Sequence, residues 1–100
     1  MEVYSVKLLP AAQSDLMDIM YHHDAPDSAE SARNFEQFIR KFGSLTAKPA
    51  SYAYAKDTQL RLRGYRILII GNYMAFYVIK DDVVEVRRIL FTRRHYEHLI

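Results

Sequence analysis

Apolar and polar positions change period several times along the chain, and each change predicts an element. Val3 to Leu8 alternates in the manner of a strand, with Val and Tyr suited to the pleat. From Pro10 the period becomes helical. Leu16, Ile19 and Met20 form an i, i+3, i+4 stripe with Ala12 a turn earlier, and Asp15 and Asp18 lie off it. Pro10 suits the first position of a helix, where its missing N–H would go unpaired anyway. This predicts a helix from Pro10 to about His23. Asp24-Ala25-Pro26-Asp27 ends it, because Pro26 disfavours helical geometry at Ala25. A second helix begins at Asp27 or Ser28, where Asp27 and Glu30 have the layout of a capping box. Ala32, Phe35, Phe38, Ile39, Phe42 and Leu45 keep helical spacing, which predicts packing against a core, and Gly43 offers a left-handed cap.

The second half reads as a loop and three strands. Thr46 to Thr58 is the loop. Its Tyr52 and Tyr54 are suited to closing the end of the core, or to stacking on bases beside Lys56. A strand is expected from Leu60, with Gly64 marking a bulge or close approach. Gly71-Asn72 supplies the positive φ of a two-residue II′ hairpin. Tyr73 to Lys80 is apolar on both faces, so it should be central, with cover on each side from helices and from something further such as a partner. A last strand starts at Val83, and its alternation breaks at Arg87-Arg88. The predicted fold is α+β in the order β-α-α-β-β-β. It has an N-terminal strand and an antiparallel helical hairpin packed on a small antiparallel sheet, in one domain over residues 1–100.

Composition narrows the chemistry. Half the residues are apolar, so the chain should fold. With no cysteine, disulfides and thiolate zinc sites are excluded, which fits a reducing cytoplasm. No apolar run approaches the roughly 18 residues of a spanning helix, so no membrane association is expected. Nor does the N-terminus have the layout of a secretory signal. Charge is uneven. Residues 1–50 hold five Lys/Arg and seven Asp/Glu, and residues 51–100 hold nine and five. Arg61, Arg63, Arg66, Arg87, Arg88, Arg93 and Arg94 should lie largely on a solvated face, because a core cannot hold unpaired guanidinium groups. Such a face, with Lys56, is a candidate site for RNA, DNA or an acidic partner.

The sequence contains no phosphate loop, no His-Glu metal helix and no Gly-Xaa-Ser-Xaa-Gly elbow. His22 and His23 point roughly 100° apart on a helix and chelate poorly, so no metal or other cofactor is expected. RNA carries its own nucleophile, the 2′-hydroxyl. Its cleavage needs a base, an acid and positive charge for the phosphorane-like transition state. Arg94 can supply charge, His95 either proton role, and Tyr96 a phenol whose pKa neighbouring arginines would have to lower.

The segments YSVKLLPAAQSDLMDIMYH, SAESARNFEQFIRKFGSL, LRLRGYRILIIGNYMAFYVI and VVEVRRILFTRRHYEHLI together resemble the RelE/ParE superfamily of bacterial type II toxins. The most specific parts are the Gly-Tyr-Arg to Asn-Tyr-Xaa-Xaa-Phe-Tyr hairpin and the Arg-Ile-Leu-Xaa-Xaa-Arg-Arg exit. The resemblance implies a growth inhibitor silenced by a cognate antitoxin. It leaves two targets open: messenger RNA on the ribosome, cut without a metal as RelE-like members do, or DNA gyrase, as for ParE-like members. RelE-like members usually carry an arginine directly after the first tyrosine of Tyr-Xaa-Xaa-Xaa-Tyr. Here that pattern is Tyr73 to Tyr77, and the position holds Met74. On the nuclease reading, Arg66, Arg94, His95 and Tyr96 are the catalytic candidates, and Lys56, Arg61, Arg63, Arg87 and Arg93 bind the target.

Overall fold

The computed structural model of the chain describes residues 3–20 and 29–91. A short strand β1 (Ser5–Leu8) leads through Leu9 into helix α1 (Pro10–Asp18), and α2 spans Ala29–Ser44. A 3-10 turn at Pro49–Ser51 and a short helix α3 (Thr58–Leu62) follow. The chain then runs through β2 (Arg66–Ile70), β3 (Tyr73–Lys80) and β4 (Val83–Phe91). Strand order across the sheet is β1-β4-β3-β2. The last three strands pair antiparallel, as the hairpin signals predict, and β1 joins β4 in parallel, which makes the sheet mixed. This is the expected α+β arrangement, with β3 interior.

β3 is buried on both faces, and its alternation divides two apolar clusters. Tyr73, Ala75 and Tyr77 face a cluster with Leu68, Ile70, Val84, Val86 and Ile89, covered by Ala12, Ile19, Phe38 and Leu45. Met74, Phe76 and Val78 face the other way, into Leu90, Ala55, Leu60 and Tyr65. The second cover thus comes from the chain's own α3 region, where the sequence suggested a partner.

That region is the main correction to the predicted elements. Leu60 and Leu62 lie on a helix and not on a strand. Asp57 starts it, its Oδ2 accepting the Leu60 N–H at 3.1 Å. It ends in a Schellman pair, with the Tyr65 N–H donating to the Leu60 carbonyl and the Gly64 N–H to the Arg61 carbonyl, each at 3.0 Å. Gly64 has a φ of +85°, so it is a helix C′ residue and not a bulge. Leu60 and Tyr65 meet beneath it in the far-face cluster.

Other termini follow or depart from the pattern for local reasons. Gly71 has a φ of +59° and Asn72 has no positive φ, as a II′ turn requires. Asp81 supplies a positive φ of 56° in the next hairpin, a conformation Asp tolerates. Gly43 does not take the left-handed cap. Instead α2 ends where the Ser44 hydroxyl donates to the Lys41 carbonyl and the Thr46 hydroxyl to the Gly43 carbonyl. Ile39, placed in the apolar stripe by its spacing, is exposed. The broken alternation at Arg87-Arg88 is a β-bulge: Phe76 pairs with Arg88 but Tyr77 pairs with Val86, leaving Arg87 without a register partner. The expected Pro26 break, the Asp27–Glu30 capping box, His22-His23 and the side chains of Ala32 and Phe35 lie outside the described residues.

Candidate functional site

The cations of the second half do not share one sheet face. Arg88, on β4, faces Asp15 on α1. Its Nε donates to Asp15 Oδ2 at 2.7 Å and its Nη2 to Oδ1 at 2.9 Å, a fork-to-fork pair. The same Oδ2 accepts the Ile89 N–H at 2.9 Å. The β1 ladder stops at Leu8↔Val86, and the Leu9 N–H still reaches the Val86 carbonyl. Beyond that point Asp15 provides the hydrogen bond that a neighbouring strand would have made. Its carboxylate holds the Arg88 guanidinium firmly protonated.

Arg87 turns toward the α3 side. Its Nη2 pairs with Glu85 Oε1 at 2.9 Å, and its Nη1 reaches the Tyr65 hydroxyl at 3.3 Å. Glu85 and Arg87 are two residues apart on one strand, so their side chains share a face. Lys80 Nζ also approaches Glu85, at 3.7 Å. These cations, Arg87 foremost through its hydrogen bond, hold the Glu85 carboxyl below its ordinary range.

Arg66 lies at the start of β2, and its guanidinium turns onto the preceding loop. Nη1 donates to the carbonyls of Tyr52 (2.6 Å) and Ala50 (3.2 Å), and Cζ stacks 3.9 Å from the centroid of the Tyr54 ring. The loop backbone is drawn alongside: the Ile67 N–H donates to Ala53 O, and the Ala55 N–H to Tyr65 O. Arg66 therefore fastens the loop over the outer edge of β2, a terminal strand that would otherwise present open hydrogen-bonding groups. Tyr52 packs against the helix-side core, with its hydroxyl 2.8 Å from Ser44 Oγ. Tyr54 carries Arg66.

Lys56, Arg61 and Arg63 are exposed. Arg63 sits 5.4 Å from the Tyr65 ring centroid, and Arg87 sits 5.7 Å from it. Between Arg61 and Arg63, at the end of α3, Leu62 is 82% exposed. Arg93, Arg94, His95 and Tyr96 lie outside the described residues. Of the four catalytic candidates only Arg66 can therefore be placed, and it is engaged with the loop.

The Tyr-Xaa-Xaa-Xaa-Tyr positions are interior. The Tyr77 hydroxyl donates to the Pro49 carbonyl, and burial pushes its phenol well above the ordinary tyrosine value. Met74 is 8% exposed, inside the far-face cluster with Phe76 and Leu90. Among the described residues no group of His, Asp and Glu is arranged to hold a metal ion, and no helix is long and apolar enough to cross a membrane. Sequence reasoning missed Asp15, whose partner is 73 residues away. It also missed α3, although Asp57 and Gly64 have the types and spacing of an N-cap and a C′ residue.

Solved structures of toxin–antitoxin systems share this fold. The ParDE toxin–antitoxin system of P. aeruginosa matches with a TM-score of 0.71 at 18% identity, over 91% of this chain and 98% of that one. The RelBE2 toxin–antitoxin complex of Mycobacterium tuberculosis matches at 0.60 and 23% identity, over 89% and 98%. The E. coli DinJ–YafQ complex matches at 0.56 and 13%, over 88% and 91%. The fold is thus that of the RelE/ParE toxins. No curated protein sequence gives a significant match. The family model of the ParE toxin of the type II toxin–antitoxin system parDE matches residues 6–96, and the chain belongs to that family.

Proposed function

We propose that this toxin arrests growth by binding DNA gyrase, without cleaving RNA, and that a cognate antitoxin silences it in the cytoplasm. The observation that carries the choice of target is Met74. On the resemblance drawn above, the nuclease branch places an arginine at this position. Here the side chain is thioether, buried among Phe76, Leu90 and Leu60, and can neither bind a phosphate nor stabilise a phosphorane. Arg66, a possible substitute for that cation, has its guanidinium on loop carbonyls and a tyrosine ring. Inhibition by binding needs a surface and no general base, which suits the engaged state of these groups. Membership of the ParE family supports the same reading.

The test is a supercoiling assay with purified toxin and gyrase. We expect loss of supercoiling, accumulation of cleaved DNA complexes, and recovery on adding the antitoxin encoded beside the toxin. Full supercoiling at micromolar toxin, together with message cut in translating ribosomes, would refute the reading. It would make Arg94, His95 and Tyr96 the residues to substitute next.

A further inference from the structure

We propose that α3 is the surface with which the toxin holds its target protein, and that the matching surface is acidic around an apolar recess that receives Leu62. The proposal rests on the reading of this chain as a toxin that acts by binding a protein.

α3 is five residues long, far below the roughly 12 that an isolated helix needs, so its surroundings must hold it. Four devices do so. Asp57 caps its start, the Gly64–Tyr65 Schellman pair closes its end, Leu60 anchors it in the far-face cluster, and Arg66 fastens the loop that leads into it. The residues so presented are Arg61, Leu62 and Arg63, all exposed. A single exposed leucine carries no message by itself. Here it stands between two arginines on a rigidly placed turn. Among the described residues neither arginine pairs with a carboxylate, although Arg87 and Arg88 both do. From Lys56 to Arg66 the chain holds four cations and one carboxylate, Asp57, which is occupied in capping α3.

Charge complementarity therefore calls for an acidic partner. The leucine distinguishes a protein from a nucleic acid, because backbone phosphates are gripped by charge and gain nothing from an apolar knob. An apolar centre rimmed by arginines is the anatomy of a protein interface. Arg63, resting over Tyr65, is partly ordered before binding, which lowers the entropy lost on association.

The experiment compares wild type with Leu62→Ser and with the double variant Arg61→Ser/Arg63→Ser. Gyrase inhibition, growth arrest on induction, capture of the co-expressed antitoxin, oligomeric state and thermal melting are read for each. Both variants should melt near wild type and still capture antitoxin, while losing about tenfold or more in inhibition. Undiminished inhibition overturns the proposal. So does a silent Leu62→Ser beside an arginine variant that loses salt-dependent binding to plasmid DNA or RNA, which would mark a nucleic-acid face. Loss of antitoxin capture would assign α3 to the antitoxin, and a change in oligomeric state would assign it to a second copy; either overturns it. If wild type arrests growth while gyrase works normally, the gyrase reading fails separately. The proposal for α3 then stands if the variants lose the arrest, and falls if they keep it.

Discussion

Asp15 joins α1 to β4 at the point where the β1 ladder has run out, so its removal should loosen the whole helix-side layer. The side chains of Arg88 and Asp15 are 22% and 13% exposed. Removing one partner of a fully buried pair leaves an uncompensated charge, at a cost of about 3–5 kcal/mol. The partial exposure of Arg88 lets water relieve some of this, reducing it to about 1–2 kcal/mol. The Ile89 N–H loses a charge-assisted acceptor as well, worth about 1–2 kcal/mol. Asp15→Ala should therefore destabilise by about 2–4 kcal/mol, a fall in melting temperature of about 10–20 °C for a domain of this size. Asp15→Asn should lose less, because its amide oxygen can still accept from Ile89. Urea titration followed by circular dichroism gives the free energies. A double-mutant cycle with Arg88→Met separates the ion pair from the backbone bond. The double variant should be more stable than the sum of the single losses predicts, since the two charges that face each other are then removed together. A loss below about 0.5 kcal/mol for Asp15→Ala, or strict additivity in the cycle, would refute the assignment of Asp15 as the substitute for a neighbouring strand.

Gly64→Ala should cost about 1–2 kcal/mol from its φ of +85° alone, since a Cβ there meets nothing within 4 Å. Gly64→Asn should recover part of this, and equal denaturation midpoints for glycine and alanine would contradict the Schellman geometry. Glu85 has a lowered pKa, so its ion pair stabilises the fold above the unfolded-state value and that contribution disappears as pH falls through the folded-state value. Stability measured from pH 6 down to about pH 3 should fall less steeply in Glu85→Gln than in wild type, and parallel curves would argue against the pairing. Met74→Arg, which restores the residue type of the nuclease branch, should destabilise by about 2–4 kcal/mol by forcing a charge into the far-face cluster. It should confer no RNA cleavage; a stable, RNA-cutting variant would show that this face opens more readily than its packing implies.

The sequence pattern revealed what is periodic and local. The apolar run on both faces of Tyr73–Lys80 placed the interior strand, Gly71-Asn72 placed its hairpin, and spacing of Phe38, Phe42 and Leu45 placed a helix on the core. Loss of alternation at Arg87-Arg88 marked the bulge, though not the direction in which either side chain turns. What remained hidden depends on partners distant along the chain. The mate of Arg88 lies 73 residues earlier, and the carbonyls that receive Arg66 belong to a loop without periodicity. α3 escaped because Leu60 and Leu62 are two apart, the spacing of a strand. In the structure one is buried and the other points to solvent, because on a helix two residues apart are about 200° apart. Asp57 and Gly64 would have decided the matter in favour of a helix.

Charge counting gave the sign of the second half but not the place where the charge is available. Arg66, Arg87 and Arg88 belong to the architecture: one fastens a loop, one fills a bulge beside Tyr65, one ties α1 to the sheet. A guanidinium held by a carboxylate in fixed geometry exerts little net field on a distant anion, since the two charges largely cancel beyond a few ångströms. Lys56, Arg61 and Arg63 have no such neutralising partner among the described residues, and they lie on or directly beside the short helix that covers the far face. Among the described cations of the second half, the electrostatic pull on an acidic partner is therefore centred on Lys56, Arg61 and Arg63 and not on the carboxylate-paired Arg87 and Arg88. Salt provides the check. Replacing Arg61 and Arg63 should flatten the ionic-strength dependence of target association, because exposed charges are screened over a Debye length of about 8–10 Å. Replacing Arg87 and Glu85 together by glutamine should leave that dependence nearly unchanged, because the pair carries no net charge. An equal response from that double variant would mean that the Glu85 pair opens on binding and that strand-borne charge contributes after all.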